Sequence, residues 1–258
     1  MKLRLDKLVF ERGLAPSRER AQAMVLAGRI LVNGQKIEKS GTQVAEDVEI
    51  KVLGEDQKYV SRGGIKLERA LQYWNIDLKG KICVDIGTST GGFTDCMLQL
   101  GAAMVIAVDT GYGQIAENLR KDGRVNLMEN TNARYLAPQA FHPFTQGACL
   151  SFVAMDVSFI SATLVLPAVV EAAFGESPTR QGEIIVLVKP QFEVGRENVG
   201  KGGIVKDERH RKFAVLKICD AVRDLGGVRI ESIESPIAGA EGNVEYLLHA
   251  VWLHGPRN

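Results

Sequence analysis

The 258-residue sequence predicts an α/β fold class, a doubly wound and largely parallel seven-stranded sheet, preceded by a small N-terminal α+β module. Two observations carry this. From about residue 80, β-branched apolar runs alternate with helical patterns, the arrangement that builds parallel βαβ units. Ahead of them, the charge is unevenly placed. Residues 1–39 hold nine Lys and Arg against four Asp and Glu, a net of +5, whereas residues 40–60 hold two against five, a net of −3. A basic front on a small unit is a footprint for a polyanion, which the overall charge of +1 would hide.

Within the front module, Leu3, Leu5, Leu8 and Val9 predict a helix that stops at Gly13. Ser17 is placed to cap a second helix, whose buried face is Ala21, Met24, Val25 and Ala27 and whose end is Gly28. Ile30 and Val32 then lead into Asn33-Gly34, a two-residue hairpin signal, before Ile37. A short strand over Val48–Val52 closes the unit.

In the larger part, strands are expected over Lys81–Ile86, Met104–Asp109, Val125–Glu129, Leu150–Met155, Glu183–Val188, Val228–Ser235 and Val244–Trp252. No convincing helix separates the last two, so they are expected to pair antiparallel. Hydrophobic residues at 45% and charged residues at 24% suit a real core and argue against disorder. The cysteines, Cys83, Cys96, Cys149 and Cys219, form no CxxC pair, so neither a zinc ribbon nor a redox dithiol is expected. The N-terminus lacks an uninterrupted apolar stretch, and no segment approaches the roughly 18 apolar residues of a membrane span; a cytoplasmic protein without membrane partner is expected.

The first strand opens into Asp85-Ile86-Gly87-Thr88-Ser89-Thr90-Gly91-Gly92, a glycine loop that lets a ligand approach the backbone at a helix start. Asp109, 22 positions beyond Gly87, ends the next strand, where an acid accepts hydrogen bonds from both ribose hydroxyls of an adenosine cofactor. Ser89 stands where a nicotinamide-binding GxGxxG would need its second glycine. Gly87-Thr88-Ser89-Thr90-Gly91 literally satisfies the GxSxG of serine hydrolases, with Asp156 and His249 following in order, but no HGGG-like oxyanion segment accompanies it. Asp156 and Lys189 end strands four and five, and carboxyl ends of strands line the crevice of open α/β sheets. A lysine after an apolar run is costly to bury unless paired. Lys66, at a helix start, and Glu245, in the last strand, read as a solvated lysine and an edge charge as readily as site residues.

The front module, in Arg4-Leu5-Asp6, Gly13, Ser17-Arg18, Ala21, Gly28 and Val32-Asn33-Gly34, resembles the S4 RNA-binding domain. Lys66, Asp156, Lys189 and Glu245 resemble the Lys-Asp-Lys-Glu tetrad of FtsJ-like ribose 2′-O-methyltransferases. Together with SRGGIKL, DIGTSTGGFTD, MDVSFIS, VKPQFEVGRE and GNVEYLL, the whole chain resembles the TlyA family, whose members are sometimes labelled haemolysins. The resemblance implies an S4 domain over residues 1–57, a linker over 58–62 and a Rossmann-like methyltransferase domain over 63–258. It implies S-adenosylmethionine (SAM) as cofactor, no metal, and 2′-O-methylation of a cytidine in ribosomal RNA. Lys189 is then the expected acceptor of the hydroxyl proton, with Asp156, Lys66 and Glu245 orienting it and the ribose. An amine accepts a proton only when neutral, and a nearby second cation, here Lys66, favours that form while Asp156 opposes it. Glu241 stands close enough to Glu245 to be confused with it; Glu245 occupies the glutamate of the family's GNxE motif.

Under the same reading Gly87, Ser89, Thr90 and Gly91 cradle the methionine part, Asp109 the ribose, and Asp85 supports the loop or the amino group. Asn130, Thr131 or Asn132 borders the adenine, or forms a plain polar turn. Arg4, Lys7, Arg12, Arg18, Arg20, Arg29 and Lys36 are the expected phosphate contacts, with Arg62 in the linker. The segment Arg196–Lys206 is expected to be a mobile loop beside Lys189. The rival readings are an RNA-binding assembly factor without catalysis and a membrane-active haemolysin, the latter opposed by the lack of a spanning or secretion segment.

Overall fold

In the computed structural model, which describes residues 2–53, 58–145, 148–175, 182–239 and 241–253, the chain divides into two units, residues 1–57 and 58–258. The join at 54–57 lies outside the described residues.

The first unit comprises β1 (Lys2–Arg4), α1 (Leu5–Glu11), α2 (Arg18–Leu26), β2 (Ile30–Val32), β3 (Gln35–Lys36), β4 (Gln43–Ala45) and β5 (Ile50–Val52). Ser17 caps α2, its Oγ accepting the Arg20 amide at 3.2 Å, as its residue type predicts. Asn33 and Gly34 both take positive φ, 50° and 78°, the left-handed pair of a type I′ hairpin between β2 and β3. One expectation fails. Residues 2–4 form a strand rather than the first helix turn, with Leu3 opposite Val44 of β4, a strand not anticipated. Three residues paired with a distant segment leave no periodicity to read; the partner decides. Leu5, Leu8, Val9, Ala21, Met24, Val25 and Ile30 form this unit's own core.

The second unit comprises α3 (Gly63–Tyr73), β6 (Ile82–Ile86), α4 (Gly92–Gln99), β7 (Met104–Val108), α5 (Glu117–Arg120), β8 (Val125–Met128), α6 (His142–Thr145), β9 (Phe152–Met155), α7 (Leu166–Val170), β10 (Gly182–Val188), α8 (Pro190–Glu193), α9 (Glu208–Asp224), β11 (Val228–Glu234) and β12 (Tyr246–Trp252). All seven expected strands are present. They form one sheet in the order β11-β12-β10-β9-β6-β7-β8, parallel except for β12, which runs antiparallel to both β10 and β11. Both faces are covered, which is why β10 reads as an uninterrupted apolar run. Ile184, Val186 and Val188 face the cluster under α7 and α9, while Ile185 and Leu187 face the cluster under α3 and α4. The order reverses between β6 and β9. Such a switch point opens a crevice beyond the carboxyl ends of those two strands.

Candidate active site

At the switch point the loop after β6 and the end of β9 touch. The Asp156 amide donates to the Ile86 carbonyl at 2.8 Å. Gly87, at φ +84°, lies against the Asp156 backbone so closely that a Cβ there would stand 2.3 Å from its carbonyl oxygen. Gly91, at φ +94°, turns the loop into α4.

Beside this contact a pocket of about 250 Å³ is lined by Arg62, Lys66, Gly87, Ser89, Thr90, Asp156, Lys189 and Glu245, among others. All four tetrad residues therefore share one cavity. They form two ion pairs. Lys189 Nζ stands 2.6 Å from Asp156 Oδ1 and donates to Ser158 Oγ at 2.6 Å. The buried Lys66, in the first turn of α3, pairs with the buried Glu245 just before β12. Lys66 is thus paired with its own carboxylate rather than standing as the unpaired second cation that the sequence leads one to expect. Burial of an ion pair is tolerated only when both partners are present and well bonded. Glu241 is exposed and does not line the pocket, so the geometry favours its neighbour.

A second pocket, of about 310 Å³, adjoins the first through Gly87, Ser89 and Asp156. Its polar groups include Asp109, Thr131 and Asn132, and its apolar walls Val108, Ala133, Ile160 and Val165. Asp109 accepts the Ser89 amide at 2.8 Å and the Gly111 amide at 2.7 Å, which fix the carboxylate at the pocket wall. A carboxylate for ribose hydroxyls, an apolar slot for a flat base and a glycine cradle fit an adenosine-bearing ligand. Asn130 does not line this pocket; it takes φ +52° and its amide bonds the Gly111 carbonyl, a turn role. Asn132 lines it, and its Oδ1 also caps the turn at Ala133 by accepting the Arg134 amide.

Asp85 lines neither pocket. Fully buried beneath the loop, it accepts the Thr94 hydroxyl at 2.6 Å through Oδ2 and leaves Oδ1 unpartnered. Burial pushes its carboxyl up to about 7, the Thr94 bond opposing and the Asp156 charge adding to the rise.

Three features are invisible in the linear sequence. Phe159 is 91% exposed with φ +64° at the lip of the second pocket, its ring 5.3 Å from that of Phe192. A bulky residue at positive φ costs of order 1–3 kcal/mol and persists where its surroundings impose it. Glu193, at the end of α8, is a buried carboxylate bonded to Ser161, Ala162 and Lys217. Asn243 is buried and fastens the segment after α8: it accepts the Val205 amide at 2.9 Å and donates to the Gly203 carbonyl at 2.8 Å. Residues 196–206 accordingly form two hydrogen-bonded turns where a mobile loop is expected. For Glu193 and Asn243 the linear chain offers an acid or an amide near apolar residues, whose burial it does not show; for Phe159 it offers no signal.

In the first unit the organising group is Asp6, also buried. It accepts from Arg4 Nε at 3.0 Å, Gln22 at 2.9 Å and the Lys7 amide at 2.9 Å, and Arg18 stands 3.5 Å away. The Arg4 bond above all holds its carboxyl well below the usual range. Arg12 donates to the Val48 and Glu46 carbonyls and Arg29 to the Leu53 carbonyl at 3.1 Å, so these two arginines brace the fold. Lys7 and Lys36 pair with Glu11 and Glu38 yet stay exposed, while Arg20 is half-buried.

Among the described residues no helix is long and apolar enough to cross a membrane, and no cluster of His, Cys, Asp or Glu is placed to hold a metal. The FtsJ-like methyltransferase model matches residues 59–252, and the S4 domain model matches residues 3–50. The chain is 42% identical over 97% of its length, and 89% of the relative's, to the 16S/23S rRNA (cytidine-2′-O)-methyltransferase TlyA of Mycobacterium tuberculosis. It is 39% identical, over 96% of its length and 100% of the relative's, to Hemolysin A of Brachyspira hyodysenteriae. A solved structure from Streptococcus thermophilus that carries the name hemolysin matches with a TM-score of 0.72 at 42% identity, covering 100% of this chain and 90% of that one. With its crevice at the switch point and these matches across nearly its whole length, the chain belongs to the FtsJ-like methyltransferase family, with an S4 domain ahead of the catalytic one.

Proposed function

We propose that this protein transfers the methyl group of SAM to the 2′-hydroxyl of a cytidine ribose in ribosomal RNA, working on ribosomal subunits in the cytoplasm. The observation that carries the reading is the shared cavity of Lys66, Asp156, Lys189 and Glu245 beside the pocket that bears Asp109 and Asn132. The M. tuberculosis relative's name states the same reaction.

Asp109 and Asn132 hold the adenosine part, while Gly87 and Ser89 line the junction of the two pockets, with Thr90 on the side of the tetrad cavity, for the methionine part. Asp85 and Gly91 shape that loop from beneath. SAM supplies an electrophilic methyl on a sulfonium. The chain supplies orientation and a place for the proton. Lys189, which must first release its own proton, receives the hydroxyl proton at Nζ; Asp156 and Ser158 fix the direction of that amine, and the Lys66–Glu245 pair positions the ribose. Phe159 presents a ring on which the nucleobase stacks, a common device for holding an extruded base. Arg4, Lys7, Arg18, Arg20 and Lys36 of the S4 domain, with Arg62 at the pocket mouth, meet phosphates; for Arg12 and Arg29 the same role is secondary to their structural bonds.

Incubating the protein with labelled SAM and ribosomal subunits and mapping the modified nucleotide tests the substrate. Lys189→Ala is expected to lower turnover by on the order of 10²–10⁴-fold with SAM affinity kept. Retained turnover would remove Lys189 from the reaction.

A further inference from the structure

The loops that carry Asp156 and Lys189 are joined a second time, behind the reacting groups, by Glu193. Its Oε1 accepts the Ala162 amide at 2.7 Å; its Oε2 accepts the Ser161 hydroxyl and the Lys217 ammonium, the latter at 3.2 Å. Lys217, on α9, also donates to the Glu193 main-chain carbonyl at 2.9 Å and reaches Ser161 Oγ at 3.3 Å. An amide, a hydroxyl and an ammonium thus meet a carboxylate that would otherwise be expensive to bury.

The consequence is geometric. Ser161 follows Asp156 by five residues, and Glu193 follows Lys189 by four. The chain from Asp156 to Ser161, the Ser161–Glu193 bond, the turn of α8 back to Lys189 and the Lys189–Asp156 contact at 2.6 Å therefore close a ring. Along it lie Ser158, bonded to Lys189 at 2.6 Å, and Phe159, whose positive φ needs an imposed backbone. Ser161 and Ala162 fasten one side of that strained loop, and Glu193 fastens them to the helix that begins one residue after Lys189.

We propose that Glu193, with Ser161 and Lys217, is a positioning cluster for methyl transfer: it sets the separation of the Asp156 and Lys189 loops without touching the reacting atoms. The inference rests on the assignment of Lys189 to the reaction. A cluster that only stabilised the fold would lower the melting temperature and leave turnover of the folded protein intact. A positioning cluster lowers kcat and leaves SAM binding unchanged.

The full chain is compared as wild type, Ser161→Ala, Ser161→Thr, Glu193→Gln and Lys189→Ala, with labelled SAM and ribosomal subunits. Measured are kcat, the KM for each substrate, SAM affinity by calorimetry and the melting temperature. Ser161→Ala is expected to lower kcat by about 10–100-fold, the range of a displacement approaching an ångström, with SAM affinity unchanged and Ser161→Thr restoring most of the loss. Glu193→Gln is expected to lose at least as much; should it fail to fold, the serine pair decides. An inactive Lys189→Ala together with wild-type turnover in Ser161→Ala overturns the positioning role. So does equal impairment of Ser161→Ala and Ser161→Thr, or a loss of SAM affinity that matches the loss of kcat. An active Lys189→Ala instead overturns the chemical assignment, and the positioning role with it.

Discussion

Asp85 shows how one residue's surroundings decide its chemistry. Its place, just before Gly87, suggests a ligand-facing carboxylate, yet it lies wholly buried with one oxygen unpartnered and its carboxyl pushed up to about 7. The unfolded chain releases this proton near the ordinary carboxylate value of about 3.9, and the folded chain holds it up to about 7. Between those values the folded state binds more protons, so this group's contribution to stability falls as pH rises through the window, then stays level above it. Asp85→Asn keeps the Thr94 contact without the charge. Urea unfolding across pH 4 to 8 should show the variant gaining on wild type up to about pH 7 and no further; a difference independent of pH would contradict the raised value.

At the scale of elements, α3 lies along β12 and is pinned at both ends. Lys66 pairs with Glu245 in its first turn, and at its C-cap Trp74 stacks on His249 at 5.1 Å and donates to Glu231 at 3.0 Å. Eight helical residues rise about 12 Å and four strand residues about 13 Å, so both pins engage in one register. Such matching places Lys66 in the cavity to better than a helical turn. The contact between β6 and β9 is as tight. Gly87→Ala adds a Cβ 2.3 Å from the Asp156 carbonyl at a backbone angle of φ +84°, costing of order 1–3 kcal/mol in strain alone. It should push the two loops apart, with turnover falling at least about 100-fold and SAM affinity falling too, measured by single-turnover kinetics and calorimetry. Wild-type kinetics in a folded Gly87→Ala would show that the close approach is dispensable.

For the whole molecule, each unit holds its own apolar core: Leu5, Val9, Met24 and Ile30 in the first, and the two faces of the large sheet in the second. Residues 58–258 alone are therefore expected to fold and to bind SAM with unchanged affinity. Their affinity for RNA should drop, and its dependence on salt should flatten by roughly 0.7–0.9 in log–log slope for each phosphate that the S4 domain neutralises in the full chain. Filter binding of both chains over a salt series checks this, and equal slopes would assign phosphate neutralisation to the catalytic domain.

Legible along the linear chain are the elements whose rules are local: the Ser17 cap, the Asn33-Gly34 hairpin, the seven strands of the sheet, the antiparallel last pair, and the strand ends that bear Asp109, Asp156 and Lys189. The four distant residues of the tetrad came to notice as a set through the resemblance to FtsJ-like methyltransferases. Folding in three dimensions settles how those four pair, that Lys66 is matched by Glu245, that Asp85 faces inward, and that Glu193, Lys217 and Ser161 close a ring behind the cavity. The reason is physical. Caps, turns and apolar periodicity act over a few residues, whereas the partner that makes a buried charge tolerable lies 24 to 179 residues away and enters the balance of energies once the sheet has assembled.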